Sequence, residues 1–277
     1  MTIRRGYIDV QVALTNATYG GQIHYRVAGD VQTGDAQKPA LILLHQAPST
    51  SEMYEALMHK LADHYYLIAP DFPGFGGSDA LPTLFTIADC AAVLHAALNA
   101  LGVKQALMFG HHTGASVALQ WATDHPQFVA ALAMSGPTLL TDAQKENLPK
   151  VVATFPVEEN GSHVLSMWQR MRGKDVDASL ELSLREMICG LQLGESYPDA
   201  YKAVVEQDVP AQLVRLDCPT LVFAGTNDPL FGTLDEAFSL LKKGKKAVID
   251  GSRTYVCERN VDEVAKLLRD FFGECNG

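Results

Sequence analysis

Six short stretches of the chain, 40–45, 66–70, 106–110, 131–135, 220–225 and 247–249, are apolar without alternation. A strand with one wet face would alternate, so unbroken runs of this length predict strands covered on both faces. Helices are expected between them at roughly 51–63, 86–101, 113–124 and 261–272, the last placing Val261, Val264, Ala265, Leu268 and Phe272 at helical spacing. Strands and helices in alternation predict the α/β class, with a doubly wound and mostly parallel sheet. Residues 20–29 read as an antiparallel strand leading into it.

From about 137 to 210 no strand-like run occurs, and amphipathic pieces such as 164–171 and 180–193 take over. This predicts a helical cap inserted after the sixth strand, dividing the chain into a core of 1–136 and 211–277 and a cap of 137–210. Such a cap would roof a site. Trp168, Met167, Met171, Met187 and Leu191 are candidates to line it, although plain cap core is the commoner fate of any one of them.

The 277 residues, 47% of them hydrophobic, suffice for one large α/β domain with an insertion, and two equal domains are disfavoured. With 22 basic against 32 acidic residues the net charge is -10, which argues against a nucleic-acid or anionic-membrane partner and favours a small, neutral or weakly charged ligand. Arg4 and Arg5 near the N-terminus precede no apolar stretch, so neither a secretory signal nor a membrane anchor is expected. Five cysteines, Cys90, Cys189, Cys218, Cys257 and Cys275, form no C-x-x-C pair and are odd in number, which suits a reduced cytoplasmic protein. No cofactor is called for, and a homodimer is left open.

The chemistry concentrates at Gly110-His111-His112-Thr113-Gly114, directly after the apolar run 106–109. In the pattern G-x-S-x-G the small residues let a strand turn sharply into a helix, so that the central side chain stands above backbone N–H donors. Here that post carries the imidazole of His112. Three further blocks accompany it: His45-Gln46-Ala47-Pro48, the loop 70–79 with Asp71 and Gly74, and the run 218–228 ending in Asp228. Together these resemble the α/β-hydrolase superfamily, within it the capped enzymes that include haloalkane dehalogenases, epoxide hydrolases and carbon–carbon bond hydrolases. The resemblance covers nearly the whole chain and implies that Asp228 is the acid of the site. It also implies that the N–H groups of Thr113 and Ala47 face a developing oxyanion.

Three positions depart from the family pattern. His112 replaces the nucleophile; Arg253 stands where the resemblance places the catalytic histidine; Gln46 replaces the glycine of H-G-x-P. An arginine stays protonated and cannot serve as a base. Arg253 is therefore expected to pair with Asp228 or to reach the substrate. His45, His111 and His112 invite a metal reading, but adjacent residues at a strand-to-helix turn point in different directions, and no metal is expected. His45, Gln46, His111 and Trp168 complete the candidate binding set beside Ala47 and Thr113.

An imidazole at the elbow suits general acid–base work, since its ordinary pKa near 6.5 lies close to neutrality. The expected activity is proton transfer by His112 on a small, largely apolar, carbonyl-bearing substrate. Either hydrolysis by an activated water or lyase, cyclase or isomerase chemistry would serve. The rival from another class is a catalytically silent protein that holds a small ligand in the same pocket.

Overall fold

In the computed structural model, which describes residues 2–29, 38–152 and 154–275, a single sheet of eight strands organises the chain. Strands β1 (Arg4–Ala13) and β2 (Thr18–Ala28) form an antiparallel hairpin. Then come β3 (Ala40–Leu44), β4 (Tyr66–Pro70), β5 (Ala106–His111), β6 (Val129–Ser135), β7 (Thr220–Gly225) and β8 (Gly244–Ile249). The order across the sheet is β1-β2-β4-β3-β5-β6-β7-β8, antiparallel as far as β4 and parallel from there on. The six parallel strands are those expected from their apolar runs. β1 was not expected: its Ile8, Val10 and Val12 alternate with polar residues, as an edge strand with one wet face should.

Helices α1 (Glu55–Leu61), α2 (Ile87–Ala100) and α3 (Thr113–Asp124) follow β3, β4 and β5. Between β6 and β7 lies the cap, α4 (Asp142–Val151), α5 (Ser162–Lys174), α6 (Leu180–Gln192) and α7 (Asp199–Glu206), followed by the short α8 (Val209–Leu213). After β7 come α9 (Leu234–Ser239), α10 (Val256–Arg259) and α11 (Val261–Cys275). None of the described helices is long and apolar enough to cross a membrane.

The unalternating strands acquire their reason here. On β3, Ile42 and Leu44 pack with α2 and α3 on one face, while Leu41 and Leu43 pack with α1 and α11 on the other. Met108 and Phe109 of β5 divide the same way. Each such side chain, fully buried, contributes about 2 kcal/mol. The cap has its own small core of Val152, Met167, Met171, Met187 and Tyr197.

Several buried polar groups fix the loops at the C-terminal ends of the strands. His45 donates from Nδ1 to the Gln46 carbonyl (2.8 Å), accepts the Phe72 N–H at Nε2 (2.9 Å) and stacks on the Phe72 ring at 3.9 Å. Asp71 accepts from the His24 ring, Ser51 N and Gly77 N at 2.7, 2.7 and 3.0 Å. His111, fully buried at the end of β5, donates from Nε2 to the Thr254 carbonyl at 2.7 Å. Burial, opposed only in part by neighbouring acceptors, pushes the His45 pKa down to about 4, and burial together with His112 pushes that of His111 down to about 3. Both rings are neutral props.

The elbow itself has no space for side chains at its glycines. A Cβ on Gly114 would lie 1.9 Å from the Leu44 carbonyl oxygen, and one on Gly110 would lie 2.2 Å from the carbonyl oxygen of Gly114. Gly114→Ala is therefore expected to cost about 3 kcal/mol, seen in a melting curve as a loss of roughly 10 °C. Gly173→Ala, on an open face of α5, should not lower the melting temperature. A second expectation concerns pH. His45 and His111 have folded pKa values below the ordinary 6.5, so the unfolded chain binds their protons first; their stabilisation is complete above about pH 6.5 and is lost as the pH falls toward 4 and 3. Urea unfolding between pH 5.5 and 4.5 should show a slope smaller by about 1.4 kcal/mol per pH unit in His111→Gln than in the wild type. An unchanged slope would remove His111 from the set of buried neutral groups.

Candidate active site

At residue 112 the chain passes from β5 into α3 with φ 48° and ψ -112°. Among the described residues it is the one non-glycine position with φ in the left-handed region. Such backbone is strained by about 1–3 kcal/mol and persists only where its surroundings enforce it. Here the His112 N–H donates to the Ser135 carbonyl (2.9 Å) and the next residue of that loop, Gly136, donates to the Phe223 carbonyl (2.8 Å), so the ends of β5, β6 and β7 are laced together.

The side chain thrown up by this turn reaches straight across to the loop after β7. Nε2–H of His112 donates to Oδ2 of Asp228 at 2.8 Å, and the Leu230 N–H donates to Oδ1 at the same distance. The Asp228 side chain is 2% exposed. Burial alone would raise its pKa, but the charge and hydrogen bond of His112, with the Leu230 N–H, hold it below the ordinary carboxylate value. In the tautomer whose Nε2 hydrogen Asp228 accepts, Nδ1 is the bare nitrogen of the ring. His112 lines a cavity of about 310 Å³ between the sheet and the cap.

One contact around this ring was not signalled in the sequence. A Cβ on Gly136, where φ is +59°, would lie 2.3 Å from Cδ2 of His112 and 2.6 Å from Nε2. Glycine at 136 is thus what lets the imidazole lie down between β6 and Asp228. A glycine directly after the β6 run was the available hint. Thr138, which lines the cavity and shares a 2.5 Å hydrogen bond with Ser116, also went unremarked.

Gln46, Ala47 and Thr113 line the cavity beside His112. Thr113 opens α3, so its N–H has no acceptor within the helix. The Gln46 amide is turned toward the fully buried Glu186 of α6 (3.4 Å), which also accepts from Ser49 Oγ (2.9 Å) and from Arg185 (2.7 Å). The Ala47 carbonyl accepts from the Tyr201 hydroxyl of α7 at 3.0 Å. These bonds seat the cap on the loop after β3.

Four candidates lie elsewhere. Arg253 does not pair with Asp228, whose oxygens are taken by His112 and Leu230; its Nε sits 3.9 Å from the Asp177 carboxylate of the cap, with both side chains exposed to solvent. Trp168 packs against the cap core rather than the cavity, because the helical phase of α5 turns Met167 and Met171 inward and gives Arg170 and Lys174 to the cavity. His45 and His111 are the loop supports already described and do not line the cavity. Among the described residues no three His, Cys, Asp or Glu side chains converge where a metal ion could be held.

Similarity to known proteins agrees with this geometry. Over 114 residues, 41% of this chain, the sequence is 31% identical to an uncharacterized protein of Mycobacterium tuberculosis, and the match spans only about a third (31%) of that relative's length. Over 91% of the chain it is 22% identical to epoxide hydrolase 1 of Caenorhabditis elegans, covering 68% of that protein. The structure of a thermophilic esterase from Thermogutta terrifontis matches with a TM-score of 0.80 over 98% of this chain and all (100%) of that one, at 21% identity, a likeness of fold. The family model described as alpha/beta hydrolase fold matches residues 39–251, and with its eight-stranded sheet, elbow and cap the chain belongs to that family.

Proposed function

We propose that this protein is an enzyme in which the His112–Asp228 dyad performs acid–base catalysis on a small, largely apolar, carbonyl-bearing substrate, with no serine nucleophile and no cofactor. The observation that carries the reading is the 2.8 Å contact between Nε2 and Asp228, which orients the ring of a side chain that lines the cavity and leaves Nδ1 without a hydrogen-bond partner among the described residues. Asp228 does for His112 what the acid of a triad does for its histidine: it selects the tautomer and stabilises the imidazolium that forms on proton uptake. The names of two similar proteins, an epoxide hydrolase and an esterase, favour hydrolysis as the first chemistry to test.

In that chemistry a water held by Nδ1 gives its proton to the ring as its oxygen bonds to the carbonyl carbon. The N–H groups of Thr113 and Ala47 receive the oxyanion. When the tetrahedral species collapses, the leaving oxygen takes the proton back from Nδ1, and the ring returns to its starting state. General-base assistance of this kind supplies roughly 10²- to 10⁴-fold, and each oxyanion donor about 3 kcal/mol. The same parts would remove a proton from carbon next to a carbonyl and hold the enolate, which is how lyase or isomerase chemistry would use the site.

With p-nitrophenyl butyrate, His112→Ala is expected to lower kcat/KM by roughly 10²- to 10⁴-fold, and Asp228→Asn by about tenfold or more. A serine-directed phosphonate should leave the wild-type protein unmodified. His112-dependent deuterium exchange into 4-phenyl-2-butanone, followed by NMR without ester turnover, would assign the enolate branch. If neither turnover nor exchange depends on His112, the acid–base reading falls and a ligand-binding role takes its place.

A further inference from the structure

The cavity over His112 is not electrically neutral. Its wall is mostly apolar, with Leu140, Leu148, Val151, Val204 and Leu230, and among the described residues no aspartate or glutamate lines it. Two cations do, Arg170 and Lys174, one turn apart on α5. Their situations differ. The Arg170 guanidinium donates to the Tyr197 hydroxyl (2.8 Å) and the Val151 carbonyl (2.6 Å) and lies over the Phe155 and Tyr197 rings. Lys174 has a single polar contact among the described residues, a long one of 3.5 Å to the Tyr201 hydroxyl.

An ammonium group has three hydrogens to donate. The Tyr201 hydroxyl gives its own hydrogen to the Ala47 carbonyl, so toward Lys174 it is an acceptor of one bond. The remaining donors of Lys174 have no acceptor among the described residues. The charged and polar groups around it are Arg170, Tyr197, Tyr201 and Glu186, and the Glu186 carboxylate is engaged by Ser49, Gln46 and Arg185. Burial accordingly pulls the Lys174 pKa below its ordinary value. Elsewhere in the cap, Lys150, Arg185 and Lys202 each have a carboxylate partner in Glu146, Glu186 and Asp199. A cation held against an apolar wall without an anion is an incomplete ion pair, and a ligand that brings the anion gains more there than at an open surface.

We infer that Lys174, with Tyr201 beside it, forms the anion subsite of the cavity, and that the substrate is a small apolar molecule carrying a carboxylate as well as the carbonyl presented to His112. Tyr201 bridges Lys174 to the backbone of Ala47, so the subsite is anchored to the loop that borders the reacting end. The proposal rests on the reading of this cavity as the substrate site.

The test is calorimetric binding of 4-oxo-4-phenylbutanoate and of its primary amide, which share the ketone and the aromatic body and differ in charge. The wild-type protein should bind the acid at least tenfold more tightly than the amide. Lys174→Met should reduce that preference below threefold while leaving the affinity for the amide within about twofold, and Lys174→Arg should keep it. Lys174→Gln gives the same reading should the methionine variant fail to fold. His112→Ala should lower turnover of p-nitrophenyl butyrate by roughly 10²- to 10⁴-fold yet retain the preference, so the two readings fail separately: a preference that depends on Lys174, beside turnover that ignores His112, leaves the subsite standing and removes the base. Equal affinities in the wild type, no measurable binding of either compound, or a preference that survives loss of the Lys174 charge overturns the subsite.

Discussion

The 2.8 Å contact between His112 and Asp228 joins the ends of β5 and β7, and the local architecture is arranged to make room for it. Gly110 and Gly114 let the chain turn against the backbone of β3; Gly136 vacates the space in which the ring lies. The energetics are balanced rather than generous. A strained backbone at residue 112 costs about 1–3 kcal/mol, and a buried hydrogen bond to a charged acceptor contributes about 1.5–3 kcal/mol. The dyad thus offsets the turn that creates it, so that the strained conformation and the oriented imidazole are two aspects of one structure.

The cap is held down by a compact polar network centred on a buried carboxylate. Glu186 of α6 takes bonds from Ser49, Gln46 and Arg185, and Arg185 also pairs with Glu258 of α10. Burial raises the Glu258 pKa against the pull of Arg185. Loss of one member would leave its partner charged and buried, a change that typically costs several kcal/mol. Gln46, which stands where the superfamily's loop has glycine, finds its use in this network: its side chain spans from the rim of the cavity to the buried carboxylate.

Apolar periodicity was enough to find the six parallel strands, four of the helices around them and the helical character of the insertion, though not α9 or α10, because burial on two faces leaves a signature in every residue of a strand. β1 escaped that criterion, since its outward side chains are wet and its pattern alternates. The elbow glycines and Asp228 were visible because backbone approach and acid delivery demand particular residues at fixed points of the fold. Arg170, Lys174 and Tyr201 were not: they come from α5 and α7, and only the phase of those helices against the cap core brings them over His112. Trp168 failed as a lining residue for the same reason, lying on the flank of α5 that Met167 and Met171 commit to the cap interior.

The departure at Arg253 follows from the departure at His112. In the arrangement that the superfamily resemblance implies, the base comes from the loop after β8 and stands between nucleophile and acid. Here the ring at the elbow already fills that interval. Each Asp228 oxygen already accepts a hydrogen bond, the carboxylate is 2% exposed, and the Gly136 backbone lies against the ring. A second imidazole from residue 253 would find no acid to orient it, and a guanidinium there would have to displace His112 from a hydrogen bond made in low dielectric, where such bonds are strong. The cheaper course is for residue 253 to turn outward, as it does toward Asp177. With His112 and Leu230 bonded to the buried Asp228 carboxylate, Arg253 finds its carboxylate neighbour in the cap instead.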